Sequence, residues 1–286
     1  WGNIVAGVDF DGDGKKEIYA INHNWADSPD ELTPRIYKYE WSGAYWEEVW
    51  MTELAIEAQN TWPALDYGDW DGDGKMEIIW GPVNFTSATN PNPARIVVFE
   101  SAGDGSDVMG VDDGMGMYMP NAEWPIVDTD DENERPFKWE LADIDSDGTM
   151  ELCFGTRAGN LRYGIVSVDD IPDNADGSET WTLESSALDV GITVGAGTIY
   201  DNVVIDNTFY LIHSDGAVTP IAYEGGAYVS KPVQADAMPG GSWKSASVVD
   251  LDSNGVKEIV AGEWLGSGYN IYLLQEDADT LSKTII

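Results

Sequence analysis

Cysteine, histidine and basic side chains are all scarce here: 286 residues hold one Cys, two His and 14 Lys plus Arg. A lone cysteine excludes an intrachain disulfide, and Cys153 stands in the apolar run ELCFG, where a buried structural thiol is expected. His23 and His213 lie far apart in sequence, each without a second His or Cys nearby, so a structural role is expected for both. Against 52 Asp plus Glu, the few basic residues leave a net charge of −38, which argues against binding nucleic acid or an anionic membrane surface. No apolar run approaches the roughly 20 residues of a membrane span. There is no G-x-S-x-G elbow and no Gly-rich phosphate loop ahead of a helix, so no catalytic constellation is visible and a non-enzymatic role is expected. The chain begins at Trp1 with no Met and no signal-like segment, which reads as a processed or truncated product lacking its targeting information.

What is abundant is acid, and it is patterned. DFDGDGKKE (Asp9 to Glu17) returns as DWDGDGKME (Asp69 to Glu77), DIDSDGTME (Asp143 to Glu151) and DLDSNGVKE (Asp250 to Glu258). Counting the first Asp as position 1, oxygen-bearing side chains fall at positions 1, 3, 5 and 9, with Gly at position 6. These are Asp9, Asp11, Asp13 and Glu17; Asp69, Asp71, Asp73 and Glu77; Asp143, Asp145, Asp147 and Glu151; and Asp250, Asp252, Asn254 and Glu258. Hard oxygens on alternate residues of a tight turn suit Ca²⁺, which takes six to eight of them at flexible geometry. The position-7 carbonyls of Lys15, Lys75, Thr149 and Val256 are the expected further ligands, giving about four Ca²⁺ ions in all. Position 2 is always apolar (Phe10, Trp70, Ile144, Leu251) and position 4 always small (Gly12, Gly72, Ser146, Ser253), which a merely solvated acidic turn has no reason to keep.

An EF-hand would place a bidentate Glu at position 12, at the start of a helix. Here position 12 is Ala20, Trp80, Phe154 and Ala261, and the runs EIYAI, EIIWG, ELCFG and EIVAG after position 8 read as buried strands. Each loop therefore joins two strands. Four divalent ions would still leave most of the charge unmatched; the remainder favours solubility, cationic partners or divalent ions bridging molecules, with a salt-rich habitat as another cause.

Strand, DxDxDGxxE loop, then an apolar strand ending near Gly resembles the FG-GAP or VCBS type of repeat, the calcium-loop blade of integrin-α-like β-propellers. Trp80-Gly81-Pro82 and Phe154-Gly155 resemble the Phe-Gly of the family name, and Ala261-Gly262 does so more weakly. The resemblance implies an all-β fold, a β-propeller in which four blades carry calcium loops. Taken in order, the strand-like runs fit one domain over 1–286 of about five four-stranded blades, near 1–60, 61–135, 136–190, 191–240 and 241–286. The fourth blade is metal-free: TIYDNVVI and TFYLIH are joined by a two-residue turn, Asp206-Asn207. A seven- or eight-bladed parent stays open.

Three further stretches stand out. Residues 101–121 are too long for a hairpin turn and read either as a solvated loop or as an adaptable partner surface built on Met109, Met115, Met117 and Met119. Thr129 to Arg135 is a second acidic excursion, a surface run or a holder of one more cation. Trp1, Trp62 and Trp243 recur seven or eight residues before a position 1, which suggests packing between blades, and 13 Trp with 13 Tyr leave aromatics to spare for a protein or a sugar.

Calcium loops with the ~10⁻⁴ to 10⁻³ M affinities of extracellular modules would stand empty at cytosolic calcium, which places the protein outside the cytoplasm or at the cell surface. The expected role is a structural or adhesive interaction module with a protein partner or a second copy of itself, a self-assembling surface or filament subunit included. The alternative is a carbohydrate-binding, lectin-like propeller or the non-catalytic part of a polysaccharide-degrading enzyme. Nucleic acid and membrane insertion are expected for neither.

Overall fold

The computed structural model describes residues 1–23, 33–54, 63–82, 92–127, 134–157, 159–266, 268–277 and 280–286. Trp62 and residues 129–133 of the second acidic run lie outside them. Among the described residues every regular element is a β-strand, as runs of alternating or wholly apolar β-branched and aromatic residues dictate. No helix of the described residues is long and apolar enough to cross a membrane. The chain divides into two compact units, Trp1–Pro136 with Ser167–Thr182, and Phe137–Val166 with Leu183–Ile286.

In the first unit, β1 (Asn3–Ala6), β2 (Glu17–Ile21), β3 (Arg35–Trp41) and β4 (Trp46–Glu53) form a sheet in that order. The second sheet uses β5 (Ala64–Gly68), β6 (Glu77–Gly81) and β7 (Ile96–Glu100), and then waits for its edge strand. The small hairpin of β8 (Val111–Asp112) and β9 (Tyr118–Met119) intervenes before β10 (Ala122–Trp124) pairs with β7. β1 packs against β5. Between these sheets lies a core that includes Phe10, Tyr19, Ile21, Trp80, Val97 and Phe99, with the Phe10 and Tyr19 rings 4.5 Å apart.

The 101–121 segment is a docked element, not a solvated loop. Ser101 bridges Met109, Gly110 N–H donates to the Glu100 carbonyl at 2.8 Å, and Thr52 Oγ1 donates to the Tyr118 carbonyl at 2.6 Å. Met109 is fully buried in the core while Met115 is 86% exposed, so the four methionines do not share one surface. Burial of an unbranched thioether explains the split: it fills a core gap that the flanking Asp and Gly residues cannot.

Most of the third sheet, β11 (Pro136–Ala142), β12 (Glu151–Thr156), β13 (Tyr163–Val168) and β14 (Trp181–Ser186), belongs to the second unit. The fourth sheet is β15 (Ile199–Ile205), β16 (Thr208–His213), β17 (Val218–Glu224) and β18 (Ala227–Ser230). The fifth is β19 (Ser247–Val249), β20 (Glu258–Gly262), β21 (Ile271–Asp277) and β22 (Thr280–Ile285). β12 packs on β15, and β15 on β19. The turn between β15 and β16 is the two-residue Asp206-Asn207, with Asp206 at φ 50°, the left-handed conformation that primed hairpin turns place at their first central residue. Trp243 stacks on Tyr200 at 4.7 Å within this unit, whereas Trp1 in the first unit is 63% exposed and meets Tyr37 edge-on at 5.5 Å.

Both scarce residue types of the second unit are interior. Cys153 is fully buried in β12, and burial pushes its thiol well above the ordinary range. An aromatic disulfide reagent is therefore expected to leave the native protein unlabelled and to release one equivalent of thiolate only on unfolding; rapid native labelling would contradict this burial. His213 Nδ1 donates to the Gly197 carbonyl at 2.9 Å, so Nε2 is the acceptor for Thr219 Oγ1 at 2.8 Å. Burial, aided by the Arg162 charge and opposed by the Gly197 bond, holds its pKa below 6.5. A folded-state pKa below the unfolded one means stability present near neutrality and lost as pH falls through the unfolded value of about 6.5. The melting temperature of the protein minus that of His213→Gln should thus shrink between pH 7.5 and pH 5; a constant difference would rule the linkage out.

Candidate metal centre

The four acidic loops fold alike because each carries the same set of local acceptors. The position-9 carboxylate accepts the position-2 N–H: Phe10 to Glu17 Oε2 at 2.7 Å, Trp70 to Glu77 at 2.5 Å, Ile144 to Glu151 at 2.9 Å and Leu251 to Glu258 at 3.0 Å. The position-1 carboxylate accepts the position-6 glycine N–H, from Gly14, Gly74, Gly148 and Gly255, at 2.9–3.2 Å. Position 3 accepts the N–H of position 5, and position 5 that of position 7. Gly14, Gly74, Gly148 and Gly255 sit at φ 87–97°, a conformation that a side chain would strain.

Position 4 carries a constraint that its small size only hinted at. Gly12, Gly72, Ser146 and Ser253 all lie at φ 61–79°, and a Cβ at Gly12 or Gly72 would meet nothing within 4 Å. The requirement is left-handed backbone, not space. Ser253→Gly should therefore stabilise the protein by about 0.5–1 kcal/mol in urea unfolding, since a left-handed L-residue is relieved at a smaller entropic cost.

The loops differ in how well their carboxylates converge. Ligand oxygens of Asp9, Asp11, Asp13 and Glu17 lie within 4.8 Å of one another, as do those of Asp69, Asp71, Asp73 and Glu77. In the third loop Asp143, Asp145 and Glu151 converge without Asp147, whose Oδ1 is held by the N–H and hydroxyl of Thr149, at 2.8 and 2.5 Å. In the fourth, Asp250, Asp252 and Glu258 keep their backbone bonds without converging to that limit; Asn254 replaces the carboxylate at position 5.

Glu17, Glu77 and Glu151 are each fully buried. Burial raises their pKa values to about 7, about 9 and about 8, against the backbone bond each accepts. Glu17 Oε1, Glu77 Oε1 and Asp69 Oδ1 are buried without a hydrogen-bond partner. A buried oxygen that no protein group satisfies fits a cation, because a divalent ion repays the desolvation that an unpaired carboxylate otherwise costs. The oxygen-only donor set fits a hard ion.

Two features near the loops escape a motif reading. Lys15 Nζ joins Asp13 at 2.7 Å to Glu40 at 2.6 Å, and Lys75 Nζ joins Asp73 at 2.9 Å to Glu100 at 2.7 Å and also pairs with Asp173. Glu40 and Glu100 stand opposite Glu17 and Glu77 on the adjacent strands. The clusters Asp73–Glu100–Asp173 and Asp11–Glu40–Asp107 thus already hold lysine ammonium groups. Lys38 is the second feature, buried beside Asp11. Period-two alternation in RIYKYEW, which puts Ile36, Lys38 and Glu40 on one face, was its available signal.

Glu77→Gln keeps an acceptor for the Trp70 N–H and matches in shape and charge the protonated carboxyl that a pKa of about 9 gives at pH 7 without metal. With metal chelated at pH 7 it should change unfolding free energy by less than about 1 kcal/mol, whereas Glu77→Ala, which strands that N–H, should cost about 1–3 kcal/mol. Equal losses in both variants would show that the hydrogen bond is not what the carboxyl contributes.

Comparison with known proteins adds the following. No curated protein matches the chain. A Saccharomyces cerevisiae Dbp5 variant bound to Nup159, a Gle1 variant, IP6 and ADP is similar over 100% of this chain and 65% of that chain, at 8% identity and a TM-score of 0.38. The Bacillus licheniformis rhamnogalacturonan lyase PL11 is similar over 98% of this chain and 66% of that one, at 14% identity and a TM-score of 0.33. The chain spans just under two thirds of each, and at these scores neither likeness carries an argument. The family model described as FG-GAP-like repeat matches residues 9–80, from the first carboxylate of the first loop to the strand after the second. Over that segment the chain carries an FG-GAP-like repeat.

Proposed function

We propose that the four loops bind Ca²⁺, that the five four-stranded sheets are the blades of one β-propeller over residues 1–286, and that the protein works outside the cytoplasm as a non-enzymatic structural or adhesive module. The observation that carries the metal reading is the pair of fully buried position-9 carboxylates, Glu17 and Glu77, each with one oxygen on a backbone N–H and the other unpartnered beside three Asp side chains. Bound calcium would supply the positive charge that these oxygens lack. The residues' own part is to fix the chain: Glu17 and Glu77 hold the loop ends through Phe10 and Trp70, and the Asp carboxylates hold the turn through its N–H groups. Carboxylates committed to a bound cation cannot serve as general acids or bases, which supports a non-enzymatic reading.

A protein partner, a second copy included, is the reading we favour for the surface. The β3–β4 hairpin ends in Trp41, Tyr45 and Trp46, 43%, 60% and 45% exposed, large amphipathic rings of the kind enriched at interfaces. With a surface this acidic, self-association would rest on such apolar contacts or on bridging Ca²⁺. The tilted Trp41–Trp46 pair, rings 5.6 Å apart, also suits a sugar ring, and a carbohydrate-binding role is the second reading.

Calcium should raise the melting temperature and chelation lower it. At a hundred times Kd each occupied site adds about 2.7 kcal/mol. Asp71→Ala should lower the bound calcium by one equivalent in equilibrium dialysis; unchanged stoichiometry would refute the assignment of the second loop. A monodisperse monomer at high calcium and high protein concentration in light scattering would exclude a self-assembling subunit, and binding to a glycan array would favour the second reading.

A further inference from the structure

Among the described residues, the first loop has a neighbour that the other three lack. Lys38, in the middle of β3 and 0% exposed, donates from Nζ to Asp11 Oδ2 at 2.6 Å and ion-pairs with Asp107 Oδ1 at 3.0 Å. Asp11 is the position-3 carboxylate of the loop, and its Oδ1 accepts the Asp13 N–H at 3.1 Å. The same carboxylate in the second loop, Asp71, receives on Oδ2 a neutral donor, the Ile171 N–H at 2.6 Å. One loop thus has a full positive charge where its sister has a backbone dipole.

Strand register identifies the equivalent positions in the other sheets. Lys38 stands opposite Tyr19, at position 11; the residues opposite position 11 elsewhere are Val98, Ile165 and Leu273. All three are apolar, and Val98 and Ile165 are fully buried. The sheet accepts an aliphatic side chain there, so packing does not require a lysine, and a buried ammonium is costly to desolvate. What distinguishes Lys38 is therefore its effect on Asp11 and Asp107.

We propose that Lys38 sets the first loop as a weaker calcium site than the second, and that Asp107 moderates this effect from within the 101–121 segment; the proposal rests on the calcium reading above. A fixed charge one hydrogen bond from a ligand oxygen repels an incoming divalent ion, and little solvent screens it in the interior. In the absence of metal the same ammonium offsets the acidic cluster, so the first loop keeps its shape at calcium levels that leave it empty. Asp107 partly offsets Lys38. It belongs to the segment that returns to β7 through the Ser101–Met109 bridge and reaches β4 through Thr52 and Tyr118, so the calcium site and this segment share one ion pair.

Calorimetric calcium titration of the full chain, with chelator competition starting from calcium-loaded protein, tests this. The unmodified protein should show a site at least tenfold weaker than its tightest one. Glu17→Gln should delete the weak site, and Glu77→Gln a tight one. Lys38→Met should tighten the weak site at least tenfold without changing the number of sites, and should widen the gap between melting temperatures in calcium and in chelator. Asp107→Asn, a partly exposed and isosteric change that keeps the test available should Lys38→Met not fold, should weaken that site threefold or more. An unchanged or weakened site in Lys38→Met, or a tightened one in Asp107→Asn, would overturn the proposal while leaving calcium binding intact. Absence of calcium binding in every variant and in the unmodified protein would overturn the calcium reading, and the proposal with it.

Discussion

Everything in these loops depends on one bond, from the N–H at position 2 to the buried carboxylate at position 9. It closes the loop across its base and fixes where the second strand starts, because the carboxylate is the first residue of β2, β6, β12 and β20. It also keeps the glutamate carboxyl inside, where its charge is costly unless a cation or a proton balances it. Phe10, Trp70 and Ile144 are tied by their N–H groups while their side chains are buried, so one residue serves both the loop and the packing, whereas Leu251 of the fourth loop is 52% exposed.

The fourth sheet solves the same problem without a loop. Fully buried Asp201 in β15 accepts the N–H groups of Ser245 and Ala246 at 2.7 and 2.8 Å and the Ser242 hydroxyl, with Lys138 Nζ 3.2 Å away. A buried carboxylate again gathers the backbone, and here a lysine neutralises it. The Asn207 side chain of the tight turn meanwhile donates to the Ile144 carbonyl at 2.8 Å and the Ser146 hydroxyl at 2.9 Å, so a loop-free sheet braces the loop of its neighbour.

Much of this was legible before any coordinates. Apolar columns at positions 2 and 10 and the failure of position 12 to offer a ligand placed strands on both sides of each loop, and β2, β6, β12 and β20 lie there. Other features were not. Size at position 4 concealed a backbone angle, since Gly and Ser are alike in bulk and differ in what they permit. Loss of Asp147 from the third cluster turns on a threonine hydroxyl, which a motif does not encode. Lys38, Asp107 and Ile171 meet the loops from distant parts of the chain, and spacing says nothing of such meetings. The methionine-rich stretch misled because composition cannot tell which of several like residues the core will take.

The lysines carry one more consequence. Of only 14 basic side chains, Lys15, Lys38, Lys75 and Lys138 are committed to carboxylates of the chain's own interior or loops. Each of these pairs cancels one positive and one negative charge, so the excess of acid is left whole and the molecule presents to its surroundings a predominantly negative field. Dilute salt would then hold its copies apart, and raising ionic strength alone, with no specific ion, would let them approach.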